Sequence, residues 1–449
     1  VPTLSSRNRC DAPLWGERIS CSRFRRSFND VTKNHEPLVH RCRYHADHSL
    51  YRRRLRLEYI PGPPGGNSGG ASERFPRIPG HPPQFFFSLI IFFFAVGAIP
   101  GGIIQDRIGP KKVTIIGGAL LGLGLFLSSF ATNVVHLYIF YGVFSGLGIG
   151  FAYITPLATC NKWFPDKRGA ISGVAVAGMG LGTIVFSPIG QLLIENIGPL
   201  TAMRVLGIVF FILVTIGAQW MVLPPEGYSP AGWKPSEKQK REVHFSKKEM
   251  LKTPAFYKIW ISFLVGTASG LMMIGIASPV GQKIAGLSVA EAAAIVGMLG
   301  LFNGGGRVLW GAASDKIGRT RTIALFSLLT AGAMLTFNFI ATSVPFAVSL
   351  FIVTACFGGF MAVFPSLTAD FYGTKYYGGN YGIVYLAYGF GAPLGGWIGS
   401  AFPLSIAFNI AAVCAFISFI LMLTIKAPEK KMSPEAVAEQ EAAVSGISG

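Results

Sequence analysis

The reading turns on residues 292–321, AAAIVGMLGLFNGGGRVLWGAASDKIGRTR. Its first 22 residues, 292–313, are an apolar run long enough to cross a bilayer as a helix. Within that run sits one full charge, Arg307. A cation at such a position is costly and is kept where it faces a water-filled path or a partner. Asn303 precedes it by one helical turn, so its amide shares the guanidinium's face. Immediately beyond comes Gly311-x3-Asp315-Lys316-x-Gly318-Arg319, which reads as a polar turn at a membrane surface.

The rest of the chain fits a scaffold around that arginine. Of its 449 residues 51% are hydrophobic and 13% charged, whereas a soluble domain carries nearer a quarter charged. Apolar runs of spanning length lie near 85–105, 112–131, 134–160, 169–194, 200–223, 255–282, 290–313, 322–341, 344–369, 378–401 and 403–425. Eleven such runs predict an all-α, multi-pass membrane protein. The net charge of +18 would suggest nucleic acid in a soluble chain. Here its distribution excludes that partner, because Lys and Arg crowd into alternate loops: around Arg107 and Lys111, Lys162 and Arg168, Lys234 to Lys252, and Lys316 to Arg321. That asymmetry places the basic loops in the cytoplasm and the chain in a cell (inner) membrane.

Residues 1–84 differ in kind. They hold 15 of the 39 Lys and Arg, five of the seven His and three of the six Cys, with no Met and no spanning run. Cys10, Cys21, His35, His40, Cys42, His45 and His48 lack the paired spacing of a zinc site, so no metal or other cofactor is expected. The segment reads as disordered or as a mistranslated stretch. From residue 85 the chain divides into a first helical bundle at 85–223, a linker at 224–253, a second bundle at 254–426 and a tail at 427–449. Glycines repeat at spacing four, as in Gly142-x3-Gly146-x3-Gly150 and Gly391-x3-Gly395-x3-Gly399, which lets helix backbones approach closely in lipid.

An internal repeat is the most specific signal. Gly102-x3-Asp106-Arg107-x-Gly109-Pro110-Lys111-Lys112 closes the first run, and the Gly311 motif closes the seventh, 209 residues later. Parallel repeats of this length, with the substrate held between halves, are a transporter plan. Asp106, Arg107, Asp315, Lys316 and Arg319 are the candidates for latching helix ends in one gating state. The spans offer no nucleophile–base pair and no metal cluster, so an enzyme is not expected.

The doubled motif resembles that of the major facilitator superfamily. Within it, FFFAVGAIPGGIIQDRIGPKK (92–112), ITPLATCNKWFPDKRGAISG (154–173), LPPEGYSPAGWKP (223–235) and FPSLTADFYG with NYGIVY (364–373, 380–385) are similar to the branch of oxalate/formate antiporters and monocarboxylate transporters. The resemblance implies two six-helix bundles, with the run at 85–105 as family helix 2 and family helix 1 absent. It implies that Arg307 binds a substrate carboxylate, a role its planar fork suits. Asn303 stands where animal monocarboxylate carriers often have Asp. Tyr388 stands at the second cation of oxalate/formate exchangers, with Tyr385 one turn earlier. Phe357, Phe360 and Phe364, together with Tyr153, are expected on the apolar side of a small cavity. The function implied is a secondary transporter of a small monocarboxylate such as lactate or formate, coupled to protons. An anion antiporter using a counter-anion is the first alternative, and a non-transporting carboxylate sensor the second.

Overall fold

A computed structural model describes residues 83–225, 228, 230 and 244–429, with side chains from Phe87 onward. The described residues form α-helices joined by short turns: α1 (Pro83–Ile108), α2 (Pro110–Ser128), α3 (Val134–Trp163), α4 (Arg168–Ile197), α5 (Pro199–Gly217), a one-turn α6 (Lys247–Met250), α7 (Pro254–Ile284), α8 (Val289–Ile317), α9 (Arg319–Thr336), α10 (Ser343–Tyr372), α11 (Tyr377–Ala401) and α12 (Leu404–Leu423). Eleven are long, matching the eleven runs. Nine are both long and apolar enough to cross a membrane. The remaining two are α9, which opens with Arg319 and Arg321, and α11, which is rich in Gly and Tyr. The segment 1–84 lies outside the described residues but for its last two positions, as do most of the linker and the tail beyond Glu429. The zinc and mistranslation readings concern residues that are not described.

Local chemistry sets the helix starts. Proline opens α2, α5 and α7, where its missing N–H costs nothing. Ser288 and Glu291 close a capping box on α8, and Thr253 caps α7. In α3 the segment Tyr138–Ser145 is a π-helix, and Ser145 Oγ donates to the Phe140 carbonyl five residues back.

Helices α1–α5 pack as one bundle and α7–α12 as another. The two meet along two seams, α1 against α11 and α4 against α8, with α10 also touching α4. Both seams are built on the repeated motif. A Cβ on Gly102 would collide with the backbone of Gly378, and one on Gly311 with the backbone of Gly169, so each glycine marks a backbone-to-backbone crossing. Four residues later the aspartate reaches the amino end of the helix just crossed. Asp315 accepts from the N–H groups of Gly169 and Ala170 at 3.0 and 2.8 Å, and Asp106 accepts from the N–H of Gly379. A carboxylate there meets unpaired N–H donors and the positive end of the helix dipole.

The motif is therefore not the polar loop its charges suggest. Asp315 and Lys316 lie in the last turn of α8, and Arg319 already begins α9, three residues before the apolar run predicted at 322. Only Gly318 separates them, at φ 94°, and Gly109 plays the same part at φ 87°. Other residues rarely adopt that backbone, which is why both copies of the motif end on glycine.

Substitution tests the crossing. Gly311→Ala, which drives a methyl into the backbone of α4, is expected to destabilise the folded protein by about 1–3 kcal/mol and to lower its melting temperature in detergent. Gly305→Ala, on the same helix but facing open space, is expected to leave the melting temperature unchanged. Equal melting for the two variants would contradict the crossing.

Candidate functional site

Arg307 lies in the interior of α8 and only 4% of its surface is exposed. Its Nε donates to Asn303 Oδ1 at 2.8 Å, one turn earlier on the same helix. Its Nη1 donates to the carbonyl of Val176 on α4, at 2.6 Å across the seam. These contacts aim the guanidinium while leaving its charge uncompensated. Arg168 is the other buried arginine among the described residues, and it pairs with Asp370 at 3.1 Å. Arg307 has neutral partners instead, and a buried cation without a counter-ion is an anion site in waiting.

Beside it lies a cavity of about 360 Å³. Arg307 and Asn303 form one end, and Thr183, Ser187 and Thr354 add hydroxyls. The walls are α4, α7, α8 and α10, with Met179, Ile274, Val296 and Leu299 as the apolar part. From Arg307 the lining runs toward the amino end of α8 and the carboxyl end of α4, away from the face that carries the basic turns.

The structure brings Arg307 and Asn303 together and sets the tyrosines beside them. Tyr153 on α3 and Tyr385 and Tyr388 on α11 form one cluster with Phe94, with ring centroids 4.9–6.0 Å apart. Arg307 lies within electrostatic reach of Tyr153, Tyr388 and Tyr381. The hydroxyls of Tyr153, Tyr381 and Tyr385 are buried and converge on one another. Phe360 is elsewhere. It packs between Phe326, Phe364 and the space above Gly266, away from the cavity walls, and Phe364 stacks on Phe263. The helical spacing that groups 357, 360 and 364 describes the α7–α10 packing face. Phe357 turns toward Tyr388 instead, at 6.4 Å.

The gating candidates divide. Asp315 and Arg319 join an ionic circuit at the basic face. Arg319 Nη1 meets Asp315 at 2.6 Å, Arg319 Nε meets Asp370 at 2.9 Å, and Asp370 meets Arg168 at the start of α4. Asp106 caps α11. Arg107 and Lys316 are exposed. Sequence reasoning missed Asp370 as the bridging acid, since it lies near a helix end with nothing in its spacing to mark it. It also missed a neutral layer beneath the ions: Asn161 Nδ2 donates to Tyr377 Oη at 3.3 Å, Ser172 Oγ to Asn161 Oδ1 at 3.2 Å, and Ser366 Oγ to Ser172 Oγ at 3.2 Å. Two of those bonds join the bundles.

A helical membrane protein of two bundles, crossed at matched seams around a buried cation, is the architecture of an alternating-access transporter. The model of the Major Facilitator Superfamily matches residues 81–392 and 306–447, and the chain belongs to that family. It is 33% identical to the uncharacterized MFS-type transporter YhjX of Escherichia coli (strain K12), over 69% of this chain and 76% of that one. It is 34% identical to the oxalate:formate antiporter of Oxalobacter formigenes, over 75% and 82%. It is 27% identical to monocarboxylate transporter 12-B of Danio rerio, over 66% and 69%. Among solved structures the proton:xylose symporter XylE aligns with a TM-score of 0.59 at 15% identity, covering 80% of this chain and 88% of that one, which shows the shared fold.

The ionic circuit and the neutral layer tie the two bundles together at the end that carries the basic turns. Ser172 is fully buried beneath them. A Ser172→Cys reporter is expected to react several-fold faster with a water-soluble thiol reagent when Asp370→Asn or Asp315→Asn is added. An unchanged labelling rate in both would show that the circuit does not hold that face shut.

Proposed function

We propose that the chain is a secondary transporter of a small monocarboxylate, with the substrate carboxylate held by Arg307 and Asn303 and with protons as the coupling ion. The observation that carries this reading is the buried guanidinium of Arg307, aimed by Asn303 and the Val176 carbonyl and, among the described residues, left without an acid partner. A carboxylate arriving from the cavity completes it with charge-assisted hydrogen bonds. The similarity to carriers named for oxalate, formate and monocarboxylates supports a carboxylate cargo. With the basic loops read as cytoplasmic, the cavity faces outward in this conformation. Inward release requires the α1–α11 and α4–α8 seams to hold as pivots while the Asp315–Arg319–Asp370–Arg168 circuit opens.

Arg307→Lys keeps the charge and loses the planar fork. Proteoliposome uptake of labelled lactate or formate should fall at least tenfold, about 1.4 kcal/mol of lost binding, with insertion unaffected. Near-normal uptake by a well-inserted Arg307→Ala would exclude the reading.

A second reading, exchange of one anion for another, is favoured by the 34% identity to an oxalate:formate antiporter. Transport that requires an anion preloaded inside the vesicle would select it over proton symport. Tyr388 bears on the cargo's charge, because it lies within reach of Arg307 where a second cation would suit a dianion. Tyr388→Lys should raise oxalate binding relative to formate severalfold in competition assays. An unchanged ratio would leave Tyr388 with a packing role.

A further inference from the structure

The polar groups around the cavity are not interchangeable, and their directions describe the cargo beyond its charge. At the Arg307 end they are donors. Nε and Nη1 of the guanidinium are committed to Asn303 and Val176, which leaves Nη2 and the second hydrogen of Nη1. Asn303 has spent its oxygen on Arg307, so its amide presents N–H groups. At two threonines further along the cavity the pattern reverses, while Ser187 adds a hydroxyl that can donate or accept. Thr183 donates its hydroxyl hydrogen to the Gly180 carbonyl at 2.7 Å, and Thr354 donates to the Leu350 carbonyl at 2.8 Å. Each threonine has placed its one hydrogen in its own helix, and what remains to the cavity is an oxygen with lone pairs.

The two oxygens are also placed to act with the arginine. Thr354 precedes by one turn of α10 the residue Gly358, which lies against the Asn303 carbonyl and the Cγ of Arg307. Thr183 abuts Gly300, one turn before Asn303 on α8. An arginine side chain in a helix leans toward the amino end, which carries the guanidinium toward both threonines. Apolar surface from Met179, Ile274, Val296 and Leu299 fills the space between.

Resting on the carboxylate reading above, we infer that the site selects hydroxymonocarboxylates: acids with a hydroxyl on the second or third carbon, whose O–H donates to Thr183 or Thr354. Against those two threonine oxygens a 2-keto acid offers only acceptors and sets oxygen against oxygen. An unsubstituted acid leaves the threonine oxygens without a partner once water is displaced. Sites built to hydrogen-bond a ligand hydroxyl reject analogues that lack it far more strongly than apolar pockets reject a missing methylene.

The test is equilibrium binding of lactate, 3-hydroxybutyrate, propionate, butyrate and pyruvate to the purified full chain. The hydroxy acids should bind at least tenfold more tightly than their unsubstituted counterparts, and lactate at least tenfold more tightly than pyruvate. In Thr183→Val/Thr354→Val, which preserves side-chain shape, the preference should vanish, with propionate bound at least as tightly as by the unmodified chain. Thr183→Ser/Thr354→Ser should retain it. Equal wild-type affinities for lactate, propionate and pyruvate would overturn the inference and leave the carboxylate reading standing, as would a preference that survives the double valine variant. If none of the five acids binds, the inference fails; if propionate binds equally well to Arg307→Ala, the carboxylate reading itself fails and takes the inference with it.

Discussion

The structure depends on a crossing that two backbones make without side chains between them. At Gly311 and Gly169, and again at Gly102 and Gly378, helices of opposite bundles touch main chain to main chain. One turn further on, the aspartate of each motif satisfies the N–H groups that open the partner helix. Glycine supplies the approach and aspartate the polar closure. A second glycine at positive φ turns the chain directly into the next helix. Placing this device twice, 209 residues apart, gives two bundles a pair of equivalent crossings.

The same helix that makes one crossing carries the cation. Along α8, Arg307 and Gly311 are one turn apart, and the carbonyl that steadies Arg307 belongs to Val176 on the helix that Gly311 crosses. Burying a guanidinium costs a few kcal/mol even in the lenient measure of helix insertion. Two neutral hydrogen bonds recover part of that cost while leaving the charge exposed to whatever enters the cavity. Helix α4 both seats Arg307 through the Val176 carbonyl and starts the ion circuit at Arg168, so the site and the basic face share one element. That shared element is the physical form the coupling takes in this account.

Much of this was legible in the sequence. The eleven long helices and the two-bundle division follow from apolar run lengths and the polar linker. Arg307 and Asn303 follow from a lone charge and an amide one turn away. The motif glycines and aspartates were visible as a repeat, but their geometry was not, because charges close together in sequence look like a loop whether or not helices run through them. Asp370 was hidden for a related reason: an acid near a helix end is ordinary until two arginines from other helices converge on it. Phe360 shows a different limit. Aromatic residues at helical spacing report a buried face without saying what is buried against it, and here Phe326 and Phe364 pack against Phe360. The acceptor role of Thr183 and Thr354 rests on where one hydrogen points, which spacing does not encode.

The central claim concerns a single contact, and structure determination of the purified chain with bound propionate tests it most directly. The account predicts carboxylate density within hydrogen-bond distance of the Arg307 guanidinium and the Asn303 amide, with the Val176 contact retained. Propionate bound away from an Arg307 whose surroundings are unchanged, or an Arg307 neutralised by an acid of the protein, would contradict it.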